Sequence, residues 1–134
     1  MALQKLKLSR IYKDLDLSFT ANALSGDIGK KFDVNAVKQS VKSLLLTKPS
    51  EKFFHPERGS MLEQYLFEPM SPGLEISLSK TIELLLTNYE PRCEIIDINV
   101  NANYDLNYYT VTLNFSVIGI NEPQQLTVQL SRLR

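Results

Sequence analysis

The spacing of apolar residues along the chain changes near residue 90. Before that point one stripe has members three or four residues apart, namely Leu74, Leu78, Ile82, Leu85 and Tyr89. This spacing lines one face of a helix. After that point apolar and polar residues alternate, which is typical of strands with one buried face. The pattern therefore predicts helices at the front of the chain and a sheet at its end.

The front of the chain contains three helical patterns. A stripe that begins near Val34 predicts a first helix, with Asp33 or Asn35 as its cap. Ser60 and Glu63 have the spacing of a capping box, which predicts a short second helix. Ser71-Pro72 opens the third helix with a cap residue and a proline at the first helical position.

Three alternating runs follow. Their links, residues 103–107 and 119–123, are short and rich in turn residues, so an antiparallel meander is the simplest topology. We predict an α+β fold, with N-terminal helices packed on one face of a small, three-stranded antiparallel C-terminal sheet. The residues predicted to face the helices are Ile96, Ile98, Val100 and Ala102, then Tyr109, Val111, Leu113, Phe115 and Val117, then Leu126, Val128 and Leu130.

The last predicted strand, Gln124 to Ser131, lacks the proline, lysine or inward charge that usually protects a sheet edge. One interpretation is β-augmentation, in which a strand of a partner pairs with this edge through backbone hydrogen bonds. The outward Thr127 and Gln129 would then add side-chain contacts. The other interpretation is that the edge is merely short, or masked by the N-terminal arm. The residues alone leave both open.

A proline bend joins the helical part to the sheet. Pro91 ends the third helix and stiffens the segment, with Glu90 and Arg92 on either side of it. We expect this bend to present its charges rather than bury them. They either bind a partner or simply solvate the corner between helix and strand.

The chain has 134 residues, which suits a single domain over residues 1–134. Residues 1–32 fit neither period well, so we expect a partly extended N-terminal arm. Basic and acidic residues number 15 each, and this balance favours neither nucleic acid nor an anionic membrane surface as a partner. No apolar run approaches membrane-spanning length, and we expect synthesis in the cytoplasm.

Candidate chemistry is sparse. Cys93 is the single cysteine and His55 the single histidine, so we expect no metal site and no cofactor. The aromatic residues Phe53 and Phe54 are interpreted as core. Glycosidase chemistry needs two carboxylates at a set separation, and nothing in the sequence selects a pair. We therefore expect a protein that is not an enzyme. The available acids are Glu57, Glu63, Glu68, Glu75 and Glu90.

The chain resembles a known family in its aromatic, proline and glycine motifs. The run Phe54-His55-Pro56-Glu57-Arg58-Gly59, followed at a distance by Asn88-Tyr89-Glu90-Pro91-Arg92, is similar to the contractile-tail baseplate wedge family. That family includes the phage sheath initiator and a type VI secretion counterpart. The opening from Tyr12 to Phe19 is similar too, so the resemblance covers nearly the whole chain.

The resemblance implies a structural protein of the virion tail baseplate, assembled in the host cytoplasm. In this family the Glu-Pro-Arg bend, here Glu90, Pro91 and Arg92, docks on the core helical bundle of the wedge. The C-terminal sheet pairs with arms of the tail sheath protein and starts its polymerisation. We assign this pairing to Leu126, Thr127, Val128, Gln129 and Leu130, in several copies set in a ring, with six expected. The alternatives are a peptidoglycan-cleaving, lysozyme-like enzyme and a regulatory anti-adaptor of the same fold.

Overall fold

A computed structural model of the protein describes residues 12–132. The part of the expected N-terminal arm that lies in residues 1–11 falls outside this range. The elements follow in chain order: β1 Lys13–Leu15, β2 Lys30–Phe32, α1 Asp33–Leu46, α2 Leu62–Leu66, α3 Pro72–Tyr89, β3 Cys93–Asn103, β4 Tyr108–Val117 and β5 Ile120–Ser131.

The α+β prediction is confirmed. The sheet has the order β3-β4-β5, every pair is antiparallel, and the helices pack on one face of it. The central strand β4 alternates without interruption, with Tyr109, Phe115 and their inward neighbours buried. In a strand that is paired on both sides and covered on one face, a shift by one residue would turn every inward side chain to the outer face. The sequence pattern and the structure therefore agree for β4.

Helix α3 forms as its signals predict. The hydroxyl of Ser71 accepts a hydrogen bond from Leu74 N at 3.3 Å, and Pro72 occupies the first helical position. The stripe that includes Leu78 and Ile82 is buried, and these two side chains are fully inaccessible. Burying an aliphatic side chain of this kind stabilises the fold by about 1.5–3 kcal/mol. Glu90 ends the helix, with its amide donating to Leu86 O at 2.9 Å.

The predicted capping box at α2 is wrong. Ser60 is buried and its hydroxyl donates to Leu45 O at 2.7 Å, while Glu63 pairs with Lys48 at 2.9 Å. Neither side chain caps the helix, whose N-cap is Met61. The N-cap of α1 is likewise Phe32 rather than Asp33 or Asn35. The spacing identified the helices, but Ser60 and Glu63 bond to distant residues instead of capping the helix.

The predicted inward set of β3 is wrong at Ile96, whose side chain is 58% exposed. A bulge between Ile95 and Asp97 places one extra residue in this strand opposite β4. The extra residue shifts the alternation, so Ile95 packs against the core and Ile98 resumes the inward face after the bulge. A period-two pattern cannot reveal such a shift when two isoleucines stand side by side.

The last strand begins earlier than predicted, at Ile120, after a two-residue turn at Ile118 and Gly119. Gly119 has a φ of 88°, which favours glycine. Pro123 therefore lies inside β5, at an irregularity in its pairing with β4. This proline is a protective feature of the edge that the sequence reading placed in the preceding link. From Gln124 onward the strand pairs regularly with β4.

The described part of the N-terminal segment is a small two-stranded unit. Strand β1 pairs with β2, and Gln39 of α1 fastens it through both amide atoms. The amide nitrogen donates to Leu15 O at 2.6 Å, and the amide oxygen accepts from Leu17 N at 3.2 Å. The Gln39 side chain of α1 thus holds the segment through its backbone.

Candidate functional site

The expectation that the bend presents both charges is wrong for Glu90. Its side chain is 3% exposed and receives a bidentate pair from Arg92, with Nε donating to Oε1 at 2.6 Å and Nη2 donating to Oε2 at 2.9 Å. The hydroxyl of Ser40 also donates to Oε2. The carboxylate that Arg92 binds therefore belongs to this chain. We call Glu90, Pro91 and Arg92 the elbow.

The elbow joins four segments of the fold. The guanidinium of Arg92 lies 5.5 Å from the centre of the Tyr12 ring, and the Tyr12 hydroxyl donates to Ile118 O at 2.9 Å. Ile118 N in turn donates to Arg92 O at 3.0 Å. Together with Ser40 of α1, these contacts tie the start of the described chain and the β4–β5 turn to one corner. The elbow is therefore rigid, because its side chains are held by several elements.

Part of the elbow stays accessible. Pro91 is exposed, and the side chain of Arg92 is 30% exposed. The bonds to Glu90 use Nε and Nη2, which leaves Nη1 without a hydrogen bond among residues 12–132. A partner at this corner would meet a proline ring and one edge of a guanidinium.

The Glu90 carboxylate makes stability depend on pH. Burial raises its pKa, but the hydrogen bonds from Arg92 and Ser40 outweigh burial and leave the pKa below its ordinary value of 4.5. The ionised form is therefore favoured in the fold, so its contribution to stability is complete above pH 4.5. That contribution is lost as the pH falls through the lowered pKa.

We expect Glu90→Gln to reduce the free energy of unfolding by about 1.5–3 kcal/mol at pH 7, because the charge that holds Arg92 is gone. Below pH 4.5 the difference from the wild type should shrink. Urea unfolding between pH 7 and pH 3 measures it, with the exposed Glu122→Gln as the matched control. A difference that stays constant over this range would contradict the assigned role of the ionised carboxylate.

The predicted strand-pairing residues, Leu126 to Leu130, lie in β5 at the edge of the sheet. Arg132 N donates to Asn107 O at 2.9 Å, which fixes the direction of the amides in this strand. Because successive amides point to opposite sides, those of the even-numbered residues face β4. The amides of Thr127 and Gln129 therefore face away from the sheet, where no strand of residues 12–132 pairs with them.

The opposite edge of the sheet is partly closed. The Glu75 carboxylate accepts from Ala102 N of β3 at 3.0 Å, on the side of that strand that faces away from β4. Helix α3 packs along the same strand. The edge of β5 between Gln124 and Ser131 pairs with no other strand among residues 12–132.

A groove of about 540 Å³ lies between β5, α1 and the N-terminal segment. Leu17, Leu46 and Leu126 supply its apolar lining. Its basic residues are Lys31, which pairs with Asp16 at 3.4 Å, and Lys38 and Lys42, which form no ion pair within the described range. The acidic Glu51 also lines the groove, and its carboxylate accepts from Lys48 N at 2.8 Å. The groove therefore combines leucine side chains with two unpaired positive charges.

The pKa values of Glu57 and Glu90 do not suit a general acid. A general acid needs a raised pKa, whereas those of Glu57 and Glu90 are both lowered. For Glu57 the hydrogen bond from its own backbone amide lowers the pKa most, burial opposes it, and the hydrogen bond with His55 lowers the pKa further. The Cys93 thiol is buried, and burial raises its pKa to about 12.

Residues 12–132 contain no cluster of histidine, cysteine and carboxylate side chains that could hold a metal ion. Within the same range, no helix has the length and hydropathy needed to cross a membrane.

Two surface features were not predicted from the sequence. Phe53 and Phe54, interpreted as core, are 97% and 94% exposed. The groove that contains Lys38 and Lys42, which we call the lysine groove, was also not predicted. The two lysines are four residues apart on a predicted helix and must share a face. The spacing of the lysines could therefore have revealed the groove. The hydrophobicity of the two phenylalanines favoured burial, which is the opposite of what the structure has.

Comparisons with known proteins agree on one family. The family model of the baseplate wedge protein gp25 matches residues 33–122. The baseplate wedge protein gp25 of Enterobacteria phage T4 is 29% identical over 92% of this chain and 94% of its own length.

Two solved structures share the fold at low sequence identity. A protein described as a tail lysozyme from Geobacter sulfurreducens superposes with a TM-score of 0.68 at 15% identity, over 73% of this chain and 89% of that one. A chain of the anti-feeding prophage baseplate gives a TM-score of 0.64 at 16% identity, over 92% and 87%.

Proposed function

The chain belongs to the family of the baseplate wedge protein gp25, and from this premise we propose that it anchors the first tail sheath subunits to the baseplate by β-strand pairing. The chain is a structural component of a contractile-tail baseplate. Its two proposed contacts lie on different parts of the fold. The elbow docks on the core bundle of the wedge, and β5 accepts a strand of the sheath protein.

The single observation that carries sheath pairing is the open edge of β5. Thr127 and Gln129 direct their amides away from the sheet, and their side chains are exposed. An added antiparallel or parallel strand would satisfy these groups without moving the core. Backbone pairing sets the register of the incoming strand, which is what the start of an ordered sheath requires.

The lysine groove supports the same contact and specifies its chemistry. A strand added beside β5 would extend the sheet toward the outer flank of α1, where the groove lies. Its inward side chains would meet Leu46 and Leu126 together with Lys38 and Lys42. We therefore propose that the incoming segment alternates, with apolar and acidic residues on the face that it turns toward α1.

The elbow supports docking through shape and rigidity rather than through two free charges. Glu90 acts inside the fold by holding Arg92 in place. Pro91 and the free edge of Arg92 form the accessible surface. A wedge protein that supplies a carbonyl or carboxylate to Nη1 would complete the hydrogen bonding of the guanidinium.

The double substitution Lys38→Glu with Lys42→Glu tests the sheath contact. We expect the variant to enter baseplates normally, because Lys38 and Lys42 line the groove and make no contact with the elbow among the bonds and ion pairs of the described residues. The fraction of baseplates that carry sheath should fall several-fold at low salt, and the loss should diminish at high salt as the charges are screened. Counting sheathed baseplates by electron microscopy, after complementation of a tail gene cluster that lacks this gene, measures the effect.

Lys80→Glu, on the exposed side of α3 beside the opposite sheet edge, is the control for a change of surface charge. Sheath assembly that is equally affected by the control, or unaffected by the double variant at every salt concentration, would count against an acidic strand in the groove.

A further inference from the structure

The strongest feature without a role is the loop between α1 and α2, residues 48–60, which we call the aromatic loop. Phe53 and Phe54 at its tip are 97% and 94% exposed. Each phenylalanine side chain has on the order of 150–250 Å² to bury. Adjacent aromatic side chains that expose nearly all their surface are characteristic of a contact site.

The aromatic loop is fastened at its base. The Ser60 hydroxyl donates to Leu45 O at 2.7 Å, and Ser60 N donates to Thr47 O at 2.8 Å. Gly59 packs so tightly that an added Cβ would lie 2.5 Å from Lys48 O. Replacement of this glycine by any other residue would therefore push the two ends of the loop apart.

Further hydrogen bonds order the loop toward its tip. Ser50 N donates to Pro56 O at 3.0 Å, and His55 N donates to Lys52 O at 3.2 Å. The two phenylalanines are thus presented by an ordered backbone. Less conformational entropy is lost when such a pre-organised group binds.

The aromatic loop and the elbow lie on the same part of the surface. The Tyr89 hydroxyl, one residue before the elbow, donates to Glu57 O of the loop at 3.1 Å. A cavity of about 390 Å³ is lined by Lys52, Arg58 and Tyr89 together with Ser40, the residue that donates to Glu90. A partner that covers the elbow would also reach this loop.

We propose that the aromatic loop is a second anchor for the partner that docks on the elbow, with Phe53 and Phe54 inserting into an apolar pocket of that protein. This rests on the proposed docking function. Lys52 and Arg58 flank the phenylalanines and form no ion pair among the described residues. The acidic residues of the loop are already engaged, because Glu51 accepts from Lys48 N at 2.8 Å and Glu57 lies 3.2 Å from His55 Nδ1. Charge complementarity with the two unpaired cations therefore assigns acidic residues to the rim of the pocket.

The double variant Phe53→Ala with Phe54→Ala tests the proposal. Because both side chains are almost fully exposed, its thermal midpoint should match that of the wild type. Its affinity for the purified wedge core proteins of the same tail gene cluster should fall at least 100-fold, since two aromatic anchors are lost. The matched control is Leu24→Ala, which removes a side chain that is 98% exposed on the N-terminal segment.

Pro91→Gln tests docking at the elbow separately from the aromatic anchor, because it changes the exposed surface of the elbow and leaves Phe53 and Phe54 in place. If Pro91→Gln loses binding and the phenylalanine variant binds like the wild type, docking stands and the aromatic anchor is overturned. If the wild-type chain does not bind the wedge core, both proposals fail. Weaker binding by both variants is the expected result. Weaker binding by the phenylalanine variant alone would overturn a second anchor beside the elbow, because the elbow would then take no part in binding.

The same variants also test whether the two phenylalanines bind a membrane or a second copy of the chain instead. Vesicles of phosphatidylethanolamine and phosphatidylglycerol probe a membrane contact, and sedimentation of the free chain probes self-association. Binding to vesicles, or formation of dimers, that depends on Phe53 and Phe54 while wedge binding does not would overturn the proposal.

Discussion

Arg92→Ala is expected to lower the free energy of unfolding by about 3–5 kcal/mol, because it leaves the buried Glu90 carboxylate without its charged partner. For a domain of this size the melting temperature should fall by roughly 10–20 °C. Among the residues that the structure describes, only the hydroxyl of Ser40 would remain as a side-chain donor to Glu90. Thermal and urea unfolding of the isolated chain measure the loss.

A double-mutant cycle isolates the pair. Glu90→Gln combined with Arg92→Ala should cost less than the sum of the two single changes, since the double variant leaves no unpaired buried charge. Arg58→Ala, at an exposed arginine of the aromatic loop, is the control. Additive effects, or an Arg92→Ala protein as stable as the wild type, would show that the pair contributes little to the elbow.

Loss of sheath is the largest functional effect that we predict, and it should follow from Thr127→Pro combined with Gln129→Pro. The two prolines remove amide hydrogens that face away from the sheet, so the ladder with β4 stays intact. Baseplates should assemble with the variant and carry no sheath. Electron microscopy of complemented particles and immunodetection of the chain in them measure both quantities.

The matched control moves one proline by a single residue. Val128 is buried and its amide faces β4, so Val128→Pro should disrupt the ladder and destabilise the isolated chain. Truncation at Gln124 is a poorer test, because it removes Val128 and Leu130 from the core. A normal sheath on baseplates with both edge prolines would exclude pairing through these amides.

The sheet and the long helices could be predicted from the sequence because their patterns depend on burial alone. Strand β4 is covered on one face and paired on both sides, so its alternating apolar residues must all face the helices. The stripe of α3 and its Ser71 cap were predictable for the same reason, because periodicity and capping agree. In these elements the local preference and the tertiary environment select the same conformation.

The elbow could be located from the sequence, but its chemistry could not. Pro91 marks the bend, yet whether Glu90 is exposed depends on Ser40, which lies fifty residues earlier. The phenylalanines of the aromatic loop mislead for a related reason. Hydrophobic composition favours the core, but the hydrogen bonds of Ser60 and the close packing of Gly59 hold the loop outside it. Contacts between distant residues decided both cases, and no local pattern records them.

The most direct test of the central claim is a cryo-electron microscopy map of the assembled baseplate with its first ring of sheath subunits. We predict a strand of the sheath protein beside β5, about 4.7–4.9 Å away, bonded to the amides of Thr127 and Gln129. A map in which that edge of β5 faces solvent while the first sheath ring is in place would contradict the account.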